Sequence, residues 1–595
     1  MVTDLQANVL SANTVKKAVP SCLVYALVQS MTFMVDTIVA GHFLGTDAVA
    51  AIALGMPMIG LMLSFTGMIL QGAFLKLLNA MGRNDMEDYD RIFSLALIFT
   101  IIVDCIFLAL CLFQTDAVLG MGGAGKAELA AVTLGRLYVR TACLEILFFA
   151  LGSLFQLVIA TYGYQADRMI CSVVCVIVNV ITSVVLVMNL PAEISIAGLG
   201  IGSAMGTLAQ LLMTCVMMKR RSISVKFRFC AVNRKNAVDS LDMLRRGFPS
   251  SVDNMLDSIS GSVVNNIILA SFAEGTAVLA LVSIIKTIYN LVRTVGRGVF
   301  YSSEPLIGIL NGGRDNEGIK KTFITALKLG TAYAAVLALI FIVIKTPLLS
   351  FYNIADNADA NTGLILIAIS GIVVVFPFAF NAVYESTGHL LLSLSVAVIP
   401  DSILYPLLIP FMGKAFGITG IWIAMGFSFI PFFILFYLIF ALITGSFPVP
   451  LDRLLRLKVE KDRITELDVS VPVDAKDVTF VSEKLQRFML ENGVDRKAAN
   501  KASLCTEEIA ADYIEHRKSA KQNDKKAYMD IKVFRTGDMI QIILRNYDEP
   551  YNPLVFEQDK EGFSKIGVVM VQKISREISY SYAYHLNVVS IVMES

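Results

Sequence analysis

Between about residue 16 and about residue 446 the chain turns apolar again and again. Each stretch is long enough to cross the ~30 Å hydrocarbon layer as a helix of roughly 20 residues. We read twelve such stretches, centred near residues 30, 62, 102, 148, 178, 207, 260, 290, 335, 370, 400 and 430. A spanning segment must satisfy its own backbone hydrogen bonds, and the period-two alternation of a membrane barrel is absent, so helices are expected. Only 17% of residues are charged, against roughly 25% in soluble domains. No small-residue cleavage site follows the first run, so no cleavable signal peptide is expected.

The cations are placed unevenly. Lys16, Lys17, Arg83, Arg91, Arg168 and the run from Lys219 to Arg246 fall on one set of connections. The opposite connections hold little beyond Lys126, Lys345 and Lys414. The positive-inside rule then puts both termini in the cytoplasm of a multi-pass plasma (inner) membrane protein, in keeping with an even number of spans. The 219–246 run reads as a topology determinant, with an anionic-lipid site as the alternative. A net charge of +1 gives no sign of a nucleic-acid partner. Nine scattered cysteines form no CxxC or Cys/His set and read as small buried hydrophobes without a disulfide framework.

The membrane part repeats itself. KKAVPSCL (16–23) matches RRGFPSSV (245–252), and IAGLGIGSAMG (196–206) matches ITGIWIAMGFS (418–428), with Gly198 against Gly420. The offsets, about 229 and 222 residues, correspond to six helices, so the two halves keep the same orientation. The expected fold class is an all-α polytopic membrane protein with two pseudo-symmetric six-helix bundles and a C-terminal α/β sandwich. Its units are bundles at 1–218 and 247–446, a basic connection at 219–246, a Pro-containing amphipathic linker at 447–463, and a cytoplasmic domain at 464–595. Strands are expected at 464–473, 530–535, 539–546, 578–584 and 587–593, and helices at 476–493 and 499–517.

Ionisable residues at membrane depth are costly and are functional candidates by default. Asp36, within MTFMVDTIVAGHF, comes first: a carboxylate there can take a proton or bind Na⁺ with help from nearby oxygens. A permanent structural carboxylate is the alternative. Asp104 and Glu145 also lie in apolar runs and are candidates for lining the same cavity, with Arg140 a structural partner for one of them. In the second half Asp253 and Asp257 share a helix face at i,i+4. Lys286, Arg293 and Arg297 share another, which Glu304 continues. Mutual neutralisation of these two sets is expected, since buried opposite charges are tolerable only when well paired. A cavity attracting anionic groups is the sharper alternative.

Several strings carry a family resemblance. They are VDTIVAGHFLGTDAVAAI after Pro20, QGAFLKLLNAMGRND (71–85), VIVNVITS (176–183), GLGIGSAMGTLAQ (198–210), FPSS (248–251), EPLIGILNGGRD (304–315) and GITGIWIAM (417–425). Together they resemble the multidrug and toxic compound extrusion (MATE) transporters over about 430 residues. The resemblance implies twelve helices in two bundles and cation-coupled export of small organic molecules, cationic or zwitterionic. It makes the chain a transporter and not an enzyme, with H⁺ or Na⁺ as coupling ion and no required cofactor. It matches Asp36 to the cation site of the first bundle, Asn179 to an asparagine associated with that site, and Asp257 to a coupling acid. Ser183 stands where some members carry an acid.

The tail carries a second resemblance. SLCTEEIAADYIEHR (503–517), LRNYDEPYNPL (544–554) and GFSKIGVVMVQKI (562–574) resemble the ATP-binding boxes of anti-sigma-factor serine kinases and histidine-kinase-like (GHKL) ATPases. The match implies Glu508 as general base, Asp512 at the Mg²⁺ position, Asn546 at the adenine-binding position and Gly567 by the phosphates. Asp512, Asn546, Asp548 and Lys565 depart from the usual residues. The expectation is therefore a regulatory module with little or no ATP binding, docking a cytoplasmic protein. A lipid-linked-precursor flippase, suited to the basic face, and a membrane sensor signalling through the tail are the alternative functions.

Overall fold

The apolar runs fold into helices, but they do not all cross a bilayer as single straight rods. In a computed structural model the described residues are 9–32, 35–83, 85–121, 129–228, 234–271, 275–313, 315–351, 357–457, 463–473, 475–519, 527–555 and 566–595. Among these, seven helices are long and apolar enough to span, and up to nine spans result if each of two bent pairs counts as one. The other three of the twelve expected runs are helical but fall short. The run near 148 is broken beside Cys143 and Leu144, leaving a shorter apolar helix, Phe148–Thr161. The run near 260 belongs to Arg234–Ser271, which is polar over much of its length. The run near 290 divides at Arg293 into Gly275–Val292 and Thr294–Gly312. Asp253 and Asp257 lie on Arg234–Ser271, but their side chains are outside the described residues.

The apolar cores show how the halves are joined. One cluster, from Val35 to Leu199, belongs to the first half alone. Another, from Val264 to Phe429, belongs to the second half alone. A third runs through both halves and takes in Tyr584 and Leu586 of the tail. The two halves thus share a core on the side that carries the tail and keep separate cores away from it. Polar contacts reinforce the shared side. Lys76 Nζ lies 2.8 Å from Asp239, Arg91 lies 2.6 Å from the same carboxylate, and Asn311 donates to Asn79 at 3.0 Å.

The repeat is visible in cap geometry. Asp85 caps helix Met86–Phe113 by accepting from Asp88 N, and Asp315 caps Asn316–Val343 by accepting from Gly318 N, both at 2.9 Å. An aspartate oxygen in this position satisfies a backbone N–H that the helix itself leaves unpaired.

Beyond the helical part, five antiparallel strands form one sheet: β1 (Arg463–Pro472), β2 (Tyr528–Thr536), β3 (Met539–Tyr547), β4 (Glu577–Ala583) and β5 (Leu586–Glu594), in the order β1-β2-β3-β5-β4. The strands fall where β-branched alternation puts them. Helices Ala475–Glu491, Arg496–Ser519 and Ile566–Ile574 accompany the sheet. Ile531, Val533, Ile542 and Leu544 face the tail's own core. Successive strand residues point to opposite faces, so Tyr528, Lys532, Arg545 and Tyr547 lie on the other face. The register, with Asp530 opposite Arg545 and Arg545 opposite Val588, puts these residues on one surface. Tyr528, Tyr547 and Val588 pack against the core shared by the two helical halves.

Candidate functional site

Asp36 sits in the first turn of helix Val35–Phe43, where the positive end of the helix dipole favours a carboxylate. It is 8% exposed, and among the described residues its hydrogen-bond partners are hydroxyls. Tyr138, from helix Leu129–Ala142, donates to Asp36 Oδ2 at 2.9 Å. Ser203, from helix Ala197–Arg220, lies 3.0 and 3.2 Å from the two carboxylate oxygens. Among the described residues no Lys, Arg or His forms an ion pair with it.

The network extends one shell outward. Asn179 donates to Ser203 Oγ at 3.1 Å and accepts from Ser183 at 3.0 Å. Asn179 and Ser183 share a helix face at i,i+4. The contact depends on glycines of the opposing helix. A Cβ on Gly202 would lie 2.0 Å from Ser183 Oγ, and one on Gly206 would lie 2.8 Å from Asn179 Cβ. Ser203, between these glycines, thereby reaches both Asn179 and Asp36.

Asp36, Tyr138 and Ser203 form the polar wall of an open cavity of about 830 Å³, mouth included. Glu145 joins them from the first turn of helix Glu145–Thr161. Met58, Met62, Phe107 and Phe149 supply an apolar wall that adaptable thioethers and rings can fit to an organic solute. Asp104 is not part of this lining. It is buried against helix Thr46–Gly82, where it accepts from Thr66 at 3.2 Å. Arg140 pairs with neither acid among the described residues; it donates to Thr115 at 3.1 Å.

The second half is arranged differently. Arg293 lies 2.6 Å from Asp401, a residue of the π-helical turn Ile399–Leu404. Asp401, some 108 residues further on, is thus one acid beside Arg293; the side chains of Asp253 and Asp257, its expected partners, lie outside the described residues. Lys286, Ser260 and Tyr405 line a small cavity around this ion pair. The stripe expected from Lys286 to Glu304 does not act as one surface. Arg297 donates to Ser30 of the first half at 3.2 Å, and Glu304 accepts from Gln71, also of the first half.

In the tail the nucleotide positions are occupied by protein groups. Asp512 accepts from the Tyr551 hydroxyl at 2.7 Å, and the Tyr551 ring stacks on His516 at 3.6 Å. The Asn546 carbonyl oxygen accepts from Asn587 at 2.8 Å. Gly567 faces Glu508 so closely that a Cβ would lie 1.8 Å from its carboxylate. Lys565 lies outside the described residues. As arranged, Asp512 and Asn546 are each engaged by a neighbouring side chain.

Sequence reading missed Tyr138, Ser203 and Asp401, and also a cluster where the tail meets the helices. Asp315, fully buried, takes an ion pair from Lys532 at 3.0 Å and another from Arg545. Burial alone would raise the Asp315 carboxyl, but the two cations outweigh it and hold it well below the usual carboxylate range.

Comparison with known proteins fixes the family. The MatE family model matches residues 20–185 and 249–411, more than half of the chain. The chain belongs to the MatE family. Its two matched segments fall on the two repeats. Members of this family are transporters and not enzymes, and this MATE protein is a multi-pass membrane protein of the multidrug efflux family. A probable multidrug resistance protein, YoeA of Bacillus subtilis (strain 168), is 22% identical over 334 residues, 55% of this chain and 70% of that protein. A multidrug resistance MATE family transporter of the MOP superfamily, solved in an outward-facing conformation, aligns with a TM-score of 0.64 at 16% identity, covering 71% of this chain and 94% of that one. A MATE in the bent conformation gives 0.63 at 16% identity over 71% and 93%. At such identity the likeness shows the fold.

Proposed function

We propose that this MATE protein is a secondary active exporter in the plasma (inner) membrane with both termini in the cytoplasm. H⁺ or Na⁺ moving down its gradient exchanges for a small organic solute, cationic or zwitterionic. The observation that carries the reading is Asp36, a buried carboxylate on a cavity wall, satisfied by hydroxyls and without an ion-pair partner among the described residues. Such a group can accept a proton, or share Na⁺ with the Tyr138 and Ser203 oxygens once their protons rotate away. Asn179 holds Ser203 in position and acts through it. The bound cation drives exchange only by binding one conformation of the two halves better than the other. The separate cores on one side and the shared core on the other supply two bodies able to rock.

Asp257 is retained as a second coupling acid, and Glu145 as a cavity residue beside Asp36. The pairing of Arg293 with Asp401 takes up part of the basic face that a lipid phosphate would need, and so favours efflux over a flippase. The tail keeps a regulatory role without nucleotide chemistry, a reading supported by the engagement of Asp512 and Asn546 with Tyr551 and Asn587 and by the close approach of Glu508 to Gly567. The deciding experiment is solute efflux from vesicles under imposed proton and sodium gradients, in wild type and Asp36→Asn. The reading requires gradient-driven efflux in the wild type and none in the variant; equal efflux in both would refute it.

A further inference from the structure

The hairpin between β4 and β5 turns through Tyr584 and His585, both with left-handed backbones, at φ 55° and 61°. A two-residue turn of this hand ordinarily takes Asn-Gly, because side chains on left-handed residues are disfavoured. Here both side chains are large, and both are used. Tyr584 packs its backbone on Gly163 of the first half, where a Cβ would lie 2.6 Å from Tyr584 Cα. Its hydroxyl donates to the Ser302 carbonyl of the second half at 3.1 Å. One residue at a hairpin tip therefore touches both halves. His585 sits edge-on to Tyr164 of the first half at 4.7 Å. Burial, with Arg221 and Lys17 nearby, holds it below the usual histidine range, so the imidazole docks neutral.

The rest of the docked face divides in two. Against the second half the tail presents a buried ion cluster, Lys532 and Arg545 around Asp315. Against the first half it presents aromatic contacts, including Lys17 over the Tyr547 ring at 3.8 Å, beside an open cavity of about 560 Å³, mouth included. A buried three-charge cluster is costly to separate, because each charge would be left unpaired. Aromatic contacts beside a cavity part more easily. The capping aspartate at the matching place in the first half, Asp85, is exposed and, among the described residues, holds no such cluster.

We propose that the tail is a latch. It stays anchored on the second half through Asp315 and reaches across with the Tyr584–His585 tip to hold the first half, so that the tail side of the two halves stays closed. Separation of the halves on that side requires release of the tip. The proposal rests on the regulatory reading of the tail and gives it a physical form.

The test uses the full-length protein in detergent micelles and hydrogen exchange by mass spectrometry, which reads opening whether or not a solute moves. Tyr584→Asn with His585→Gly supplies the turn that the hairpin geometry prefers, so the sheet stays folded while both docking side chains are lost. The latch requires at least tenfold faster exchange around 79–83 and 309–313, with β2 and β3 still protected. Asp315→Asn keeps the helix cap but removes the anchoring charge. It should speed exchange at the same segments and also along Asn316–Val343. Unchanged exchange at 79–83 and 309–313 in the turn variant would overturn the latch, as would faster exchange confined to the tail. Efflux assayed in parallel bears on the other reading: no gradient-driven efflux in wild type or variant would remove the exporter and leave the latch standing on its exchange data.

Discussion

The two helical halves share a repeat and a cap geometry, yet two of their buried carboxylates, Asp36 and Asp401, are treated in opposite ways. Asp36 in the first half is surrounded by hydroxyls that can solvate either a carboxylate or its cation-bound form. Asp401 in the second half lies beside a guanidinium. An acid paired with arginine already has its counter-ion and gains little from a second cation. An acid held by hydroxyls has room for one. The same fold thus carries a hydroxyl-held carboxylate in one half, which the proposed function reads as a cation-exchange site, and an ion pair in the other. The difference lies in which neighbours the helices deliver.

The largest expected effect falls on Asp36. Asp36→Asn should reduce gradient-driven efflux to the level of empty vesicles while leaving the thermal unfolding midpoint within a few degrees of wild type, since hydroxyls can hydrogen-bond an amide equally well. A large drop in midpoint would make Asp36 structural and erase the contrast. Arg293→Ala should do the reverse. Leaving Asp401 buried without its arginine costs about 3–5 kcal/mol, read as early unfolding, whereas replacing both partners with apolar residues of similar size should recover most of the loss. Tyr138→Phe removes one of the hydroxyls on Asp36. It should slow efflux several-fold and move the half-saturating cation concentration by about tenfold, as expected for one hydrogen bond to a charged group. An unchanged cation dependence would mean that Tyr138 does not contribute to the site.

The smallest effect lies outside the membrane, where Asp530 gives the contrast a control. This tail carboxylate is buried against the Ser470 hydroxyl, and burial pushes it from 3.8 up to about 7. Between those values the folded tail holds a proton that the unfolded chain has released. Tail stability should therefore fall as pH rises from about 4 to about 7 and level off above. Asp530→Asn should stabilise the tail at pH 8 and hardly at all at pH 4. A pH-independent effect, followed by tail-specific hydrogen exchange, would show that burial is not what sets this group apart.

Much of this was readable along the chain. Helical runs, the repeat and the five strands follow from local hydrophobic pattern, because burial in lipid or in a sheet acts on every second or every third to fourth residue. Asp36 stood out because a lone acid in an apolar run has few bland explanations. Asn179 came from family likeness, and the hydrogen bond it makes to Ser203 is visible only in the fold. Asp401 beside Arg293 was not anticipated, because spacing along a chain gives no sign of an acid that arrives from another helix. The strand residues Lys532 and Arg545 carried no signal of the contact they make with Asp315. Alternation shows that a face is polar and says nothing of what covers it.

By itself, the sequence determined a membrane-spanning helical repeat with an α/β tail and a carboxylate at depth, since each of these is written in short-range periodicity and composition. Only the tertiary structure decided which hydroxyls surround Asp36, that Asp401 lies beside Arg293, and that the tail's polar face closes over Asp315. Those pairings join residues more than a hundred positions apart. Their energies come from mutual desolvation, which exists only once the distant segments have been packed together.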